Sequence, residues 1–287
     1  WEKATFTALE GEDLMNPDFL SEEINHSWFE YPNGATSLHP IEGVTKPAFT
    51  GPKTGTNKKW EFLDEEKKYS WIKSPTFKGK ACEVGPLAKY IVVYVKVKQG
   101  IIKAPTWAEK MMVDQIDAVS KVLGVPAHVW MCSTVGRTAA RGLDAQVAAN
   151  LSQHFYNRLI ENIKTGDTVV ADTRKFDPNS WPKEAKGVGL LDAPRGGLGH
   201  WCVIKDGRVD NYQCIVPTTW NACPKTIAGE HGAYEANMMD TKVKIADKPL
   251  EILKGIHSFD PCLACATHLY NKKGEKIVSV NTDALCK

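Results

Sequence analysis

The sequence predicts an α+β fold that is mainly helical, with a helix bundle between a loop-rich aromatic N-terminal arm and a C-terminal β-hairpin region. Three observations predict it: proline and aromatic residues crowd positions 1–82, apolar residues recur at helical spacing over 83–166, and β-rich runs flank Asp206-Gly207. The sequence contains no internal repeat or low-complexity tract, and we expect a single domain over residues 1–287.

Composition excludes several classes of protein. The 287 residues carry 36 Lys+Arg against 34 Asp+Glu, so the formal net charge is only +2. This balance gives no electrostatic basis for a nucleic-acid partner. No run approaches the roughly 20 apolar residues of a spanning helix. The start, Trp1-Glu2-Lys3-Ala4, has no initiator Met and no signal-peptide pattern, so we expect a chain cut from, or beginning within, a longer protein.

The N-terminal arm, residues 1–82, combines prolines with aromatic residues. The prolines stand at positions 17, 32, 40, 47, 52 and 75, between tryptophans at 28, 60 and 71. Proline removes a backbone donor and restricts its preceding neighbour, so long helices are excluded here. We expect short strands and loops whose aromatic side chains pack against another surface; a carbohydrate-binding strip is the alternative interpretation.

Three helices are predicted over residues 83–166, and together they imply a packed bundle. The first begins at Pro86, the second spans Trp107–Leu123 and stops at Gly124, and the third runs from a cap at Ser133 or Thr134 to Lys164 before Gly166. The apolar stripe of the third helix is Leu143, Val147, Leu151, Phe155 and Leu159.

Arg137 and Arg141 form a like-charge i, i+4 pair on that third helix. Two interpretations are open: a solvated helix face, or a pair neutralised by a partner or a buried acid.

Beyond the bundle the pattern changes to short elements. We predict a short helix near Pro182–Gly189, and a hairpin over His200–Val216 that turns at Asp206-Gly207. A helix over Lys248–His257 then leads to Asp260, and the alternation in Ile277–Val280 predicts a strand in the tail.

The residues with metal-binding spacing are Cys262 and Cys265. Pro261 is predicted to keep Asp260 extended and to begin a helical turn, so that both thiolates project from one face toward a single metal ion. Zinc, iron, nickel or copper suits such ligands. His268, one turn further, suits a neighbouring site better. Buried inert thiols and a redox dithiol remain alternatives, since a single CxxC is a weak signal.

Two other segments contain candidate site residues. Arg195 stands in the glycine-rich run Ala193–Trp201, where it can donate to an anionic ligand or lie on a surface turn. The run Val216–Asn221 follows the hairpin and offers the Thr218 hydroxyl, although by itself it is only a strand end.

Together these segments resemble the large subunit of nickel–iron hydrogenases, most closely the respiratory, membrane-bound uptake type. The resemblance covers residues 20–268, and the matching segments occur in the family's order. They are His26-Ser27-Trp28-Phe29, Thr50-Gly51-Pro52-Lys53, Glu83-Val84-Gly85-Pro86-Leu87-Ala88, Gly136-Arg137-Thr138-Ala139-Ala140-Arg141, Ala193-Pro194-Arg195-Gly196-Gly197-Leu198-Gly199-His200-Trp201 and Asp260-Pro261-Cys262-Leu263-Ala264-Cys265-Ala266-Thr267-His268. It implies that the chain is part of a larger large-subunit fold.

The resemblance also implies a nickel–iron centre with carbon monoxide and cyanide on the iron, within a metal-site region over residues 167–268. Cys262 is the implied terminal nickel ligand and Cys265 the implied bridging thiolate. Arg195 lies beside the open face in this scheme, held by Asp260, and catalysis is assigned to Arg195, Asp260 and Cys262. The residues implied to line the diatomic-ligand pocket are Pro194, Val216, Pro217 and Thr218, with the Thr218 hydroxyl donating to a cyanide.

A second metal ion is implied by the same resemblance. His268 is expected to bind magnesium or a similar structural divalent ion, with the Cys214 carbonyl as a second contact.

Two departures from the family pattern set further expectations. No CxxC precedes Cys82, so the other two thiolates are expected from an N-terminal half of the large subunit. The nineteen residues Leu269–Lys287 follow the histidine after which the family is trimmed, and we expect this extension to be cleaved. Two alternatives to a catalytic half-subunit stay open: an unprocessed, metal-free precursor, and a zinc-stabilised module without catalysis.

The implied partners and location follow from the reaction. The substrate is H2, and electrons from its heterolytic cleavage are expected to pass to an iron–sulfur small subunit, with a membrane cytochrome as a further partner. The expected location is the periplasmic side of the membrane, reached through the partner subunits, or the cytoplasm for an unprocessed precursor.

Overall fold

The computed structural model describes residues 16, 18–50 and 62–262, without the Lys175 side chain, together with the backbone of two strands at 266–270 and 276–281. The N-terminal arm contains the strands β1 Leu20–Glu23, β2 Phe29–Glu30, β3 Ser37–Leu38, β4 Lys46–Pro47 and β5 Ser74–Phe77. The bundle contains the helices α1 Pro86–Lys98, α2 Trp107–Leu123, α3 Ala127–Met131 and α4 Thr134–Thr165. The remaining elements are β6 Glu184–Ala193, β7 Gly196–Lys205, β8 Arg208–Ile215, α5 Pro217–Asn221, α6 Ala233–Met238, α7 Leu250–His257, β9 Ala266–Tyr270 and β10 Lys276–Asn281. Helices and strands thus combine as the sequence predicts.

The arm is built from short strands and 3₁₀ turns. β1 lies between β3 and β5 in an antiparallel three-stranded sheet, and β2 pairs with β4. Its aromatic residues pack on one another: the Trp71 ring lies 5.2 Å from Trp28 and 5.7 Å from Phe29 between centroids. These contacts agree with the packing interpretation of the arm. Pro52 and Trp60 lie outside the described residues.

An ion pair is buried inside the arm. The Lys73 ammonium lies 3.5 Å from the Glu22 carboxylate, and the two side chains are 6% and 4% exposed. Lys73 also donates to the Val44 carbonyl at 2.9 Å and to the Thr45 hydroxyl at 3.0 Å. Burial raises the pKa of Glu22 and lowers that of Lys73, because each charge has lost its water, while each charge opposes the shift of the other.

Replacing Lys73 with methionine should destabilise the protein by about 3–5 kcal/mol, because it leaves the Glu22 charge buried and unpaired. Equilibrium unfolding in urea measures this free energy. Lys46→Met is the matched control: Lys46 pairs with Glu30 at the surface, with the two side chains 67% and 48% exposed, and should cost at most about 1 kcal/mol. Equal losses in the two variants would contradict the prediction.

The bundle confirms the three predicted helices. α2 begins at a capping box between Thr106 and Glu109 and ends at Gly124, which has a φ of +67°. Ser133 caps α4 by accepting from the Gly136 amide at 2.9 Å. The core is made by buried residues of all four bundle helices: Leu87, Tyr90, Val93, Met112, Ile116, Ala127, Trp130, Met131, Ala140 and Val147.

The apolar stripe of α4 is buried only along its first half. Leu143, Val147 and Leu151 belong to or pack against the core, whereas Phe155 and Leu159 are 56% and 55% exposed. The helix extends beyond the helices that cover its N-terminal half, so the second half of the stripe is not part of this core.

The helix predicted near Pro182–Gly189 is wrong. The segment belongs to β6, which pairs with β7 over ten residues, from Glu184 opposite Lys205 to Ala193 opposite Gly196. Two glycines in the segment weaken helix formation, and the hairpin supplies the backbone hydrogen bonds instead. The hairpin at Asp206-Gly207 is confirmed: β7 pairs with β8, and these turn residues have φ of +48° and +72°.

The C-terminal elements bring the chain back to the bundle. α7 confirms the predicted helix and begins at Leu250, two residues later than expected. β9 and β10 form a hairpin that pairs the backbone of His268 with Ser279, so the predicted tail strand is also confirmed. No helix among the described ranges has both the length and the apolar character needed to cross a membrane.

Candidate functional site

Three chain segments come together beside the N-terminal half of α4. The turn between β6 and β7 and the stretch after α7 both contact Arg141 of α4, and the start of α5 contacts the stretch after α7. Pro194 and Arg195 are the two residues of the β6–β7 turn. Gly196 follows with a φ of +127°, and a Cβ there would lie 2.5 Å from the Gly85 amide nitrogen. Only glycine permits this backbone approach, which seats the turn against the start of α1.

The structure pairs Arg195 with Asp260. Arg195 Nε donates to the Asp260 carbonyl at 3.1 Å and lies 3.3 Å from its carboxylate oxygen Oδ2. The two side chains are 41% and 40% exposed, so the pair lies at the protein surface of this chain.

The predicted extended conformation of Asp260 is wrong. The residue has a φ of +54°, in the left-handed region, and its amide donates to the His257 carbonyl at 3.0 Å. That hydrogen bond closes a turn after α7, and aspartate is among the residues that tolerate this region. The turn aims the Asp260 carbonyl at Arg195.

Cys262 contacts the second segment through its backbone. Its amide donates to the Thr218 hydroxyl at 3.0 Å, and Thr218 is buried in the first turn of α5 while the Cys262 side chain is exposed. The hydroxyl oxygen accepts in this bond, so the bond does not use the hydroxyl proton. Val216 and Pro217 precede Thr218 as the cap and first residue of α5, and Pro217 is suited to that position by its fixed φ.

Asn221 is a site residue that sequence reasoning missed. Its side chain is 1% exposed, accepts from the Val84 amide and donates to the Val84 carbonyl, both at 2.9 Å. It therefore fastens α5 to the segment on which Gly196 rests. The signal was an asparagine at the end of the Val216–Asn221 run, where an amide can satisfy a backbone donor and acceptor together.

Both arginines of the α4 pair face carboxylates, which agrees with neutralisation rather than a solvated face, but the acids Glu83 and Asp260 are partly exposed and not buried. Arg137 forms a two-pronged contact with Glu83, at 2.7 Å from Nε and 3.0 Å from Nη2. Arg141 donates to the carbonyls of Pro194 and Ser258 at 3.1 and 3.0 Å, and its Nη1 lies 3.7 Å from the Asp260 carboxylate. Burial lowers the pKa of Arg141, an effect that the Asp260 charge opposes.

The predicted metal ligands are only partly visible. Cys265 lies outside the described residues, and so do residues 263 and 264 between it and Cys262. His268 lies in the strand β9, and its side chain is outside the described part. In the region that the structure describes, no three His, Cys, Asp or Glu side chains are grouped to hold a metal ion.

Cys214 lies at the far end of β8 from the hairpin turn, opposite His200. Burial raises the pKa of its thiol, and the Glu22 charge raises it further. The structure therefore places a buried carboxylate near Cys214, and it records no contact between Cys214 and the described residues of the Arg195–Asp260 pair.

A family model described as nickel-dependent hydrogenase matches residues 5–268. The chain is 48% identical to the uptake hydrogenase large subunit of Rhizobium leguminosarum bv. viciae, over 93% of this chain and 43% of that protein. It is 43% identical to the hydrogenase-1 large chain of Escherichia coli K12, over the same two shares. The chain thus spans less than half the length of these curated relatives.

Solved structures give the same result. A reduced, active form of the Ni-Fe-Se hydrogenase from Desulfomicrobium baculatum superposes with a TM-score of 0.63 at 25% identity, covering 86% of this chain and 44% of that one. A [NiFeSe] hydrogenase variant from Desulfovibrio vulgaris Hildenborough gives 0.62 at 26% identity, over 87% and 45%. Motif order, fold and the convergence of Arg195, Asp260, Cys262 and Thr218 agree with these matches, and the chain belongs to the nickel-dependent hydrogenase family.

Proposed function

We propose that this chain is part of the catalytic subunit of a nickel–iron hydrogenase that cleaves H2 heterolytically and reversibly. The observation that carries this proposal is that Arg195, Asp260 and the exposed Cys262 come together beside α4. Asp260 and Cys262 follow Arg195 by 65 and 67 residues in the sequence and are two residues apart from each other. In a chain of this family, that convergence supports a site where a guanidinium faces a thiolate-bound metal.

The residues present fit half of such a metal centre. Cys262 offers an exposed thiol on a backbone fixed by Thr218, and thiolates suit nickel and iron. Cys262 and Cys265 would hold the nickel–iron centre, with the remaining two thiolates supplied by the N-terminal half of the large subunit. When bound, the centre supplies the Lewis acid that makes dihydrogen acidic.

The chain's own residues would bind and orient the ligands of the centre and would accept the proton from H2. Arg195 holds its guanidinium at the surface beside Asp260, where it can donate to a cyanide ligand on iron. The pocket for the diatomic ligands would be completed by Pro194, Val216 and Pro217. The Thr218 hydroxyl would donate its proton to a cyanide ligand. The Cys262 thiolate or a neutral Arg195 guanidine would then serve as the base, and the Asp260 carboxylate, 3.3 Å from Arg195 Nε, would orient that side chain.

A structural magnesium ion is proposed at His268 and the Cys214 carbonyl. Mg²⁺ prefers oxygen ligands, and a backbone carbonyl is one of them.

Electrons are proposed to leave through an iron–sulfur small subunit, with a membrane cytochrome beyond it. We also propose a location on the periplasmic side of the membrane, reached through those partners.

One observation favours an unprocessed precursor as the second candidate. The family match ends at His268, yet β9 pairs with β10 across that residue, so the extension is structurally joined to the metal-site segment. A precursor would be cytoplasmic and metal-free, awaiting nickel insertion and the removal of Leu269–Lys287.

Metal analysis, infrared spectroscopy and intact mass of the purified complex test the proposal together. We expect nickel with iron, carbon monoxide and cyanide bands, and a C-terminus at His268. An intact tail without nickel would replace the hydrogenase by the precursor. Zinc alone, with no such bands, would overturn both in favour of a zinc-stabilised module.

A further inference from the structure

Arg141 bonds two of the segments that form the site. Its Nη1 donates to the Pro194 carbonyl at 3.1 Å, and its Nη2 donates to the Ser258 carbonyl at 3.0 Å. Pro194 is the residue before Arg195, and Ser258 is two residues before Asp260. One planar guanidinium therefore spans from the β6–β7 turn to the segment that leads to Cys262.

The helix that carries Arg141 is itself fixed on both sides of it. One turn earlier, Arg137 forms an ion pair with Glu83 and donates to the Ser258 hydroxyl at 3.2 Å. The Arg137 guanidinium also lies over the Phe259 ring, 3.9 Å from its centroid. The Ser258 hydroxyl in turn donates to the Gly255 carbonyl. The Arg137 contacts therefore fix the same segment from the other side, and Arg141 projects from a rigid base.

Just beyond Arg141, a second tie joins α4 to the strand before Arg195. Lys89 of α1 lies 2.5 Å from the Asp144 carboxylate and 3.3 Å from that of Asp192. Charges of alternating sign therefore run from Asp192 through Lys89, Asp144 and Arg141 to Asp260. This alternation offsets the repulsion that Arg141 would otherwise feel from Arg195.

We infer that Arg141 is a positioning residue: its guanidinium sets the separation between the Pro194–Arg195 turn and the Ser258–Asp260 turn, and so the direction of the Arg195 side chain. The two acceptors are backbone carbonyls of different segments, and the planar guanidinium presents a separate nitrogen to each in a fixed geometry. Lysine keeps the charge but has a single nitrogen to share between them. The inference rests on the proposed function for its effect on catalysis, and on the observed contacts for the positioning itself.

The test compares Arg141→Met and Arg141→Lys with the wild type, in the complete large subunit bound to its small subunit. Arg158→Met is the matched control, because Arg158 is an exposed arginine of the same helix. Hydrogen exchange of a peptide over residues 256–262 is measured against one over 107–123 in α2. Nickel content, infrared cyanide bands and turnover are measured on the same samples.

In Arg141→Met we expect exchange in 256–262 to rise about tenfold, exchange in 107–123 to stay unchanged, and the cyanide bands to shift at constant nickel content, because one set of backbone ties is lost. Turnover should fall about tenfold or more. Arg141→Lys should recover only part of these losses, and Arg158→Met should match the wild type.

The inference would be overturned if residues 256–262 of Arg141→Met exchanged hydrogen at the wild-type rate. It would also be overturned if exchange in α2 accelerated equally, because that result marks general destabilisation. Unshifted cyanide bands at constant nickel content would also overturn it. A wild-type complex without nickel or cyanide bands would instead refute the proposed function, while the exchange result would still decide the positioning.

Discussion

Replacing Cys262 with serine should lower the nickel content of the assembled complex at least about tenfold and abolish turnover. Serine keeps the size and the backbone contact to Thr218, which is made by the Cys262 amide at 3.0 Å, but exchanges a soft thiolate for a hard hydroxyl. Loss of nickel therefore reports on the sulfur and not on the fold. Nickel per complex, with the melting temperature measured on the same sample, is the readout.

Cys132→Ser is the control for that substitution. Cys132 is also an exposed free cysteine, and it lies between α3 and α4, outside the three segments of the site. It should leave nickel content and turnover at wild-type values. Full nickel occupancy in Cys262→Ser would remove this cysteine from the metal centre.

Replacing Arg195 with lysine should lower the rate of H2 oxidation about a hundredfold while nickel content stays constant. Arg195 Nε bonds the Asp260 carbonyl and approaches its carboxylate, leaving the rest of the planar guanidinium to face a ligand. Lysine retains the charge but loses the planar fork of donors. General acid–base or charge-stabilising groups typically contribute 10² to 10⁴ in rate, so the expected loss of about a hundredfold is at the lower end of that range. Steady-state turnover at saturating H2 is the measurement.

Arg208→Lys serves as the comparison for Arg195→Lys, because Arg208 is an exposed arginine at the start of β8, away from the three segments. It should turn over like the wild type. Undiminished turnover in Arg195→Lys itself would exclude Arg195 from the mechanism, whether as base or as anchor.

Most helix boundaries could be predicted because their signals are local. The Ser133 cap and the left-handed glycines at 124 and 166 act within one turn of the helix they bound. The Asp206-Gly207 turn is local in the same sense. Each of these predictions agrees with the structure to within a residue or two.

The segment at 184–193 could not be predicted because its conformation depends on a distant partner. Its glycines and isolated apolar residues favour no secondary structure strongly, and ten residues of pairing with β7 decide for a strand. The conformation of Asp260 was missed for a similar reason: a proline follows it, yet the bonds of its amide and carbonyl impose a positive φ.

The sequence by itself determined the family, the helices of the bundle and the identities of Arg195, Asp260, Cys262 and Thr218 as candidates, since these depend on residue type and short-range spacing. Only the tertiary structure decided that Arg195 bonds Asp260, that Thr218 accepts from Cys262, and that Arg141 and Asn221 hold the segments together. Those contacts join residues separated by tens of positions along the chain. Their geometry comes from packing of whole elements, which no local pattern encodes.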